Sequence, residues 1–91
     1  MKDLDDWRER IDSLDRDIVQ LLNERAECVL RLAPLKRQRN LDVLDPEREE
    51  RVQGNIRRHN GGPLPHEAVS RIFDLIMAAM RDLQRERVAA D

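Results

Sequence analysis

An apolar heptad pattern near the start of the chain limits its fold more than any other feature. Ten positions are spaced alternately by three and four residues, and all but Arg25 are apolar. They are Leu4, Trp7, Ile11, Leu14, Ile18, Leu21, Arg25, Cys28, Leu32 and Leu35. An a/d pattern held this long is typical of a helix that packs lengthwise on other helices. It predicts a first helix over residues 4–39, capped by Asp3, that can bend at Pro34 because proline lacks a backbone donor.

Start and stop signals predict two further helices. Asp45-Pro46-Glu47 combines an N-cap, a proline at the first helical position and an acid in the first turn, and His59-Asn60-Gly61-Gly62-Pro63 ends this second helix. A third helix is predicted from about Leu64-Pro65 to about Arg87, and its expected buried face is Val69, Ile72, Phe73, Ile76, Met77, Met80 and Leu83. We therefore expect an all-α fold of three helices in a single domain spanning residues 1–91.

The lengths of these helices predict association. At a rise of 1.5 Å per residue the first helix is roughly 54 Å long, the second roughly 22 Å and the third roughly 34 Å. Two shorter helices do not cover the whole apolar seam of the first, and an exposed seam of that length is an association surface. We predict an intertwined homodimer in which two long helices pair across a two-fold axis.

Composition excludes several classes of function. The chain carries 17 basic and 19 acidic residues, interspersed along its length, so it forms no strong basic footprint and nucleic-acid binding is disfavoured. Its one cysteine, Cys28, fits a reducing compartment, and no apolar run approaches the roughly 20 residues that span a membrane. His59 and His66 lack partners at metal-ligand spacing. We expect a cytoplasmic protein with no membrane, nucleic-acid or metal partner.

Two cations lie on the apolar face of the first helix. Arg25 interrupts the seam, and a buried guanidinium needs a carboxylate from the protein or from a ligand. Lys36 follows eleven residues later, which is three turns plus about 20°, so it lies on the same face roughly 16 Å along the axis. Taken singly, Arg25 fits a salt bridge between helices as well as a ligand contact, and Lys36 fits a solvated face better.

Other polar residues lie beside apolar stripes in the second and third helices. Gln84 closes the stripe of the third helix, and Asp45 and Glu49 share a face of the second helix, with Arg48 beside Glu49. Taken singly, Asp45 is an ordinary N-cap, Gln84 a surface residue near a frayed end, and Arg48 part of a solvated face.

Arg8, also part of a solvated face when taken singly, lies seventeen residues before Arg25, roughly 25 Å along one rigid helix. One small ligand cannot touch both arginines of the same chain. Antiparallel pairing of two long helices would bring Arg8 of one chain to the site of the other.

Together these residues resemble the all-helical chorismate mutases of the three-helix, dimeric kind. The matching stretches are Arg8-Glu9-Arg10-Ile11-Asp12-Ser13-Leu14-Asp15, Leu21-Leu22-Asn23-Glu24-Arg25, Lys36, Asp45-Pro46-Glu47-Arg48-Glu49, Ile72-Phe73, Ile76 and Gln84. The resemblance covers nearly the whole chain. It implies conversion of chorismate to prephenate by a [3,3] pericyclic rearrangement, on the route to phenylalanine and tyrosine, without a metal or cofactor.

The resemblance also implies how the two substrate carboxylates are held. Arg25 would bind one carboxylate from within its own chain, and Arg8 of the partner chain would bind the other. Arg48 matches a supporting arginine near these carboxylates.

The remaining positions match residues around the reacting atoms. Lys36 and Gln84 would donate to the ether oxygen of the breaking bond, and Glu49 would accept the substrate hydroxyl. Asp45 would contact the same hydroxyl through its backbone. Met80 stands where the family has a small or polar residue, one turn before the glutamine, and is expected only to wall the pocket.

Two classes of alternative remain. Relatives of the same fold act as isochorismate-pyruvate lyases or as aminodeoxychorismate mutases. A helical dimerisation module without catalytic activity would explain the heptads, but not the polar side chains Arg25, Lys36 and Gln84 on apolar faces. Feedback regulation, and activation by a partner enzyme, are left open by the sequence.

Overall fold

The chain folds into three helices joined by two short connections. A computed structural model describes residues 3–90, and side chains for residues 3–87. Helix α1 spans Leu4–Gln38, α2 spans Pro46–His59 and α3 spans His66–Ala90, with no strand among residues 3–90. The prediction of an all-α, three-helix chain with a long first helix is confirmed. None of the helices in this described part is long and apolar enough to cross a membrane.

The predicted caps begin α1 and α2. The Asp3 carboxylate accepts from the backbone N–H of Asp6 at 3.0 Å, and the Asp6 carboxylate accepts from the backbone N–H of Asp3 at 3.1 Å. This reciprocal capping box satisfies two backbone donors that the first turn leaves free. Asp45 caps α2 through a single bond, in which its carboxylate accepts from the backbone N–H of Arg48 at 3.1 Å, ahead of Pro46.

The C-terminal end of α1 positions the connection to α2. The helix continues through Pro34 to Gln38. Asn40 then adopts a left-handed backbone conformation with φ of 55°, and the N–H of Leu41 donates to the carbonyl of Lys36 at 2.8 Å. This closure satisfies a terminal carbonyl of α1 and turns the chain towards α2.

Helix α3 packs against both α1 and α2 and so holds the other two helices together. The contact between α2 and α3 is held by Gln53, whose amide donates to the Ser70 carbonyl at 3.0 Å and to the Asp74 carboxylate at 2.9 Å. The hydroxyl of Ser70 donates back to Gln53 at 2.9 Å. These bonds fix the position of α2 along α3.

The core of a single chain is small. Among the described residues, the buried apolar side chains are Ala33, Met77 and Met80. The α1 seam stays open, with Trp7 54% exposed and Leu21 62% exposed. The length of α1 therefore leaves most of its apolar seam uncovered within one chain, as the helix lengths predict.

The prediction of a buried apolar face on α3 is wrong at one residue in the single chain. The apolar stripe predicts a buried Ile72, but this residue is 46% exposed. It lines an open groove of about 620 Å³ between α1 and α3, together with Leu22, Leu75 and Ala79. The α1 residues Leu22, Asn23 and Ala26 flank this groove without closing it, so Ile72 is left exposed.

Candidate functional site

Side chains from all three helices meet in one cleft, which lies beside the buried residues Met77 and Met80. The lining comprises Arg25, Val29, Leu32 and Lys36 of α1, Val43 and Asp45 of the α1–α2 connection, Arg48 and Glu49 of α2, and Met77, Met80, Arg81 and Gln84 of α3. Its volume within one chain is about 90 Å³. The cleft therefore combines an apolar floor with several charged groups.

Seven of the eight site residues predicted from the sequence line this cleft, namely Arg25, Lys36, Asp45, Arg48, Glu49, Met80 and Gln84. Arg8 does not: it is exposed near the opposite end of α1. Its distance from Arg25 along the helix axis is roughly 25 Å, so it does not reach the cleft of its own chain.

Lys36 and Gln84 are joined directly. The ammonium of Lys36 donates to the Gln84 side-chain oxygen at 3.4 Å and to the Val43 carbonyl at 3.3 Å. An ammonium only donates, so the amide oxygen of Gln84 faces Lys36, and this bond does not use the amide nitrogen. Gln84 is 5% exposed, which excludes a surface position at a frayed helix end.

Both bonds of Lys36 are long for a charged donor. Such bonds usually measure about 2.7–2.9 Å. Lys36 is therefore held in the cleft without being tightly bound, and its ammonium can approach a ligand. Lys36 and the amide nitrogen of Gln84 together form a pair of donors suited to one ligand oxygen.

Glu49 has a partner that the sequence interpretation missed. The Arg81 guanidinium donates to Oε2 of Glu49 and forms a salt bridge between α3 and α2. A helical spacing rule points to Arg81, because it lies four residues after Met77 and three before Gln84, on the same face as both. The apolar lining residues Val29 and Val43 were also missed, since nothing distinguishes them from ordinary core positions.

The charge of the cleft is unbalanced. Four cationic side chains line it, Arg25, Lys36, Arg48 and Arg81, against the two acids Asp45 and Glu49. This excess of positive charge favours a small anionic ligand. Apolar neighbours lower the local dielectric and strengthen each charged contact. Within residues 3–87, no group of three His, Cys, Asp or Glu side chains is placed to hold a metal ion.

Comparison with known proteins agrees with this arrangement. The family model described as chorismate mutase type II matches residues 7–85. The chain is 37% identical over 90 residues to a bifunctional chorismate mutase/prephenate dehydratase of Aquifex aeolicus, a match that covers 94% of this chain but 25% of that protein. The chain thus spans about a quarter of the length of the curated relatives that it matches first.

Two further relatives are of similar size to this chain. A chorismate mutase of Methanocaldococcus jannaschii is 29% identical over 83 residues, covering 87% of this chain and 81% of that protein. The solved structure of chorismate mutase (form II) from Thermus thermophilus superposes with a TM-score of 0.83 at 33% identity, covering 87% of this chain and 90% of that one. Because the family model covers most of the chain and the fold agrees, this chain belongs to the chorismate mutase type II family.

Proposed function

We propose that the chain converts chorismate to prephenate. The observation that carries the proposal is that Arg25 and Lys36 of α1 share one cleft with Gln84 of α3, which is distant in sequence, and that this cleft has an excess of positive charge. Chorismate offers two carboxylates, an ether oxygen and a hydroxyl, and the cleft of one chain contains groups suited to one carboxylate, to the ether oxygen and to the hydroxyl. A dimerisation module would have no need for polar side chains in these positions.

The reaction requires no covalent bond between the protein and the substrate. A pericyclic rearrangement forms a carbon–carbon bond and breaks a carbon–oxygen bond within one molecule, without a nucleophile. The enzyme accelerates it by holding the substrate in a compact conformation and by stabilising the charge that separates in the transition state. Arg25, supported by Arg48, supplies the first of these effects by binding a carboxylate, since guanidinium groups bind carboxylates through paired hydrogen bonds.

Lys36 and Gln84 supply the second effect. The ether oxygen becomes negative as its bond to carbon breaks, and donors already in place stabilise it without reorganising. Lys36 would transfer its weak bonds with Val43 and Gln84 to this oxygen. Met80 lines the cleft and would exclude water from the two donors, which strengthens their electrostatic attraction to the ether oxygen.

Glu49 would accept a hydrogen bond from the substrate hydroxyl. Its Oε2 atom is paired with Arg81, so Oε1 is the oxygen for this contact. Asp45 contributes differently. Its carboxylate caps α2 through Oδ1 and its carbonyl accepts from the N–H of Glu49 at 3.0 Å, and the family resemblance implies that its contact with the hydroxyl is made by the backbone.

We infer that the working enzyme is an intertwined homodimer with Arg8 of the partner chain bound to the second carboxylate. The cleft of one chain measures about 90 Å³. Small-molecule sites usually have about 300–1,000 Å³, so the site is incomplete in one chain. The open seam containing Trp7 and Leu21, and the apolar groove between α1 and α3, supply the surface for the partner.

Relatives suggest the metabolic setting. Several carry chorismate mutase and prephenate dehydratase in one bifunctional protein. In those proteins the product of one activity is the substrate of the next. We place the reaction of this chain, by analogy, at the branch that leads to phenylalanine and tyrosine.

The test is the loss of chorismate absorbance with purified protein. We expect rapid conversion to prephenate by the parent and conversion near the uncatalysed rate by Arg25→Ala. Arg31→Ala is the matched control, because Arg31 is an exposed arginine of α1 that does not line the cleft. Absence of conversion by the parent would refute the proposal. Turnover of isochorismate or of the amino-substituted substrate would then identify which related reaction replaces it.

A further inference from the structure

The salt bridge between Glu49 and Arg81 lies inside the candidate site. Both side chains line the cleft, and they are 27% and 24% exposed, respectively. Arg81 lies one helical turn before Gln84, on the face of α3 that contains the proposed ether-oxygen donor of that helix. The ion pair therefore belongs to the wall that a bound substrate would contact.

We infer that Arg81 is a specificity-determining residue, which through Glu49 makes the site select a neutral hydroxyl over an ammonium group on the substrate. The inference rests on the proposed function, in which Glu49 contacts this substituent. It concerns the choice between chorismate and the analogue that has an amine in place of the hydroxyl.

The charges of the cleft explain this choice. A carboxylate that is paired with a guanidinium through one oxygen still accepts a hydrogen bond from a hydroxyl through the other. An ammonium on the substrate would instead share Glu49 with Arg81, and two cations on one carboxylate repel each other. Asp45 is the other acid of the lining, and its carboxylate is engaged in capping α2. The capping bond uses Oδ1 alone, so Asp45 keeps its charge, but the four cations of the lining still outnumber its two acids and an added ammonium meets an excess of positive charge.

A purely structural role for the ion pair predicts a different result. Partly exposed ion pairs contribute little to stability. The α2–α3 contact is already held by Gln53 with Ser70 and Asp74. Removal of Arg81 should therefore leave the fold intact, and a structural role gives no reason for the preference between two substrates to change.

The experiment compares kcat/KM for chorismate and for the amine analogue, which is protonated at neutral pH, in the parent and in variants. We expect Arg81→Met to raise the amine-to-hydroxyl ratio of kcat/KM at least about tenfold, because the ammonium then has Glu49 to itself. Arg81→Lys, which keeps the charge, should stay within about threefold of the parent ratio. Arg85→Met is the control, since Arg85 is an exposed arginine of the same helix outside the cleft.

The outcomes separate the two proposals. If the parent converts chorismate and a folded Arg81→Met keeps the parent ratio, the inference about Arg81 is wrong and the proposed function stands. If the parent converts neither compound, the proposed function fails and the role of Arg81 fails with it. Should Arg81→Met not fold, Arg81→Gln serves in its place: it keeps a donor for Glu49 without the charge, and the same rise in the ratio is expected.

Discussion

Replacement of Lys36 by methionine tests the central element of the proposed mechanism. Methionine keeps much of the length of the lysine stem and removes the ammonium. In the chain without substrate, this ammonium donates to Val43 at 3.3 Å and to Gln84 at 3.4 Å. In the transition state it would contact the ether oxygen, and the charge on that oxygen is absent from the ground state. The loss should therefore fall on kcat more than on KM.

The size of the effect follows from the geometry. At about 3 Å and an effective dielectric of about 20, a full positive charge attracts half a negative charge by about 3 kcal/mol. Removal of one donor from a comparable oxyanion site costs about 2.7–4 kcal/mol. Since about 1.4 kcal/mol is tenfold in rate, we expect Lys36→Met to lower kcat roughly 100- to 1,000-fold.

The assay is steady-state loss of chorismate absorbance, with kcat and KM measured separately. Arg39→Met is the matched control, because Arg39 is an exposed cation at the C-terminal end of α1 that does not line the cleft. Lys36→Met also leaves the buried Gln84 oxygen without its donor, which should lower the free energy of unfolding by about 1–3 kcal/mol. Circular dichroism must therefore show that the variant is folded at the assay temperature. A folded variant with kcat within about tenfold of the parent, or a loss confined to KM, would refute the reasoning.

Three other predictions address the dimer and the α2 cap. Mixing Arg8→Ala with Arg25→Ala should restore about a quarter of parent turnover, because half of the randomly reassorted dimers are hybrids with one intact site each; no restoration would place Arg8 outside the partner's site. If the chain forms the proposed dimer, Leu14→Glu should give monomers in light scattering, although Leu14 is 40% exposed in one chain and its replacement would otherwise be mild; a mass equal to that of a dimeric parent would contradict the seam as interface. Asp45→Ala should lower the free energy of unfolding in urea by about 1 kcal/mol through loss of the cap. Asp45→Asn keeps a capping oxygen and should leave stability and kcat/KM close to the parent values, whereas a large loss of kcat/KM would assign a role to the Asp45 carboxylate itself.

The ends of the helices were predictable because their signals are local. The capping box at Asp3 and the Asp45-Pro46 start of α2 depend on residues within one helical turn of each other. The predicted start of α3 is about two residues early, since the Pro63–Pro65 region precedes the helix and is not part of its first turn. It was equally predictable that Arg25 and Lys36 lie on the same face, because one continuous helix has a known angular repeat.

Contacts between helices were not predictable in the same way. The bond between Lys36 and Gln84 and the salt bridge between Glu49 and Arg81 join residues of different helices. Arg81 taken alone fits a solvated surface as well as a cleft. The resemblance to known enzymes pointed to Lys36 and Gln84, and it gave no indication of Arg81.

The sequence by itself determined the three helices, the starts of α1 and α2, the faces that their side chains share and the large apolar surface of α1. Helical periodicity is enough for this, because it sets the direction of every side chain around a single axis. Only the tertiary structure decided which faces meet: that α3 packs on both α1 and α2, that Gln84 is buried against Lys36, that Ile72 is left open and that Arg81 reaches Glu49. The rotation and offset of one helix relative to another depend on how all their side chains interdigitate, and no single residue or spacing in the sequence specifies that packing.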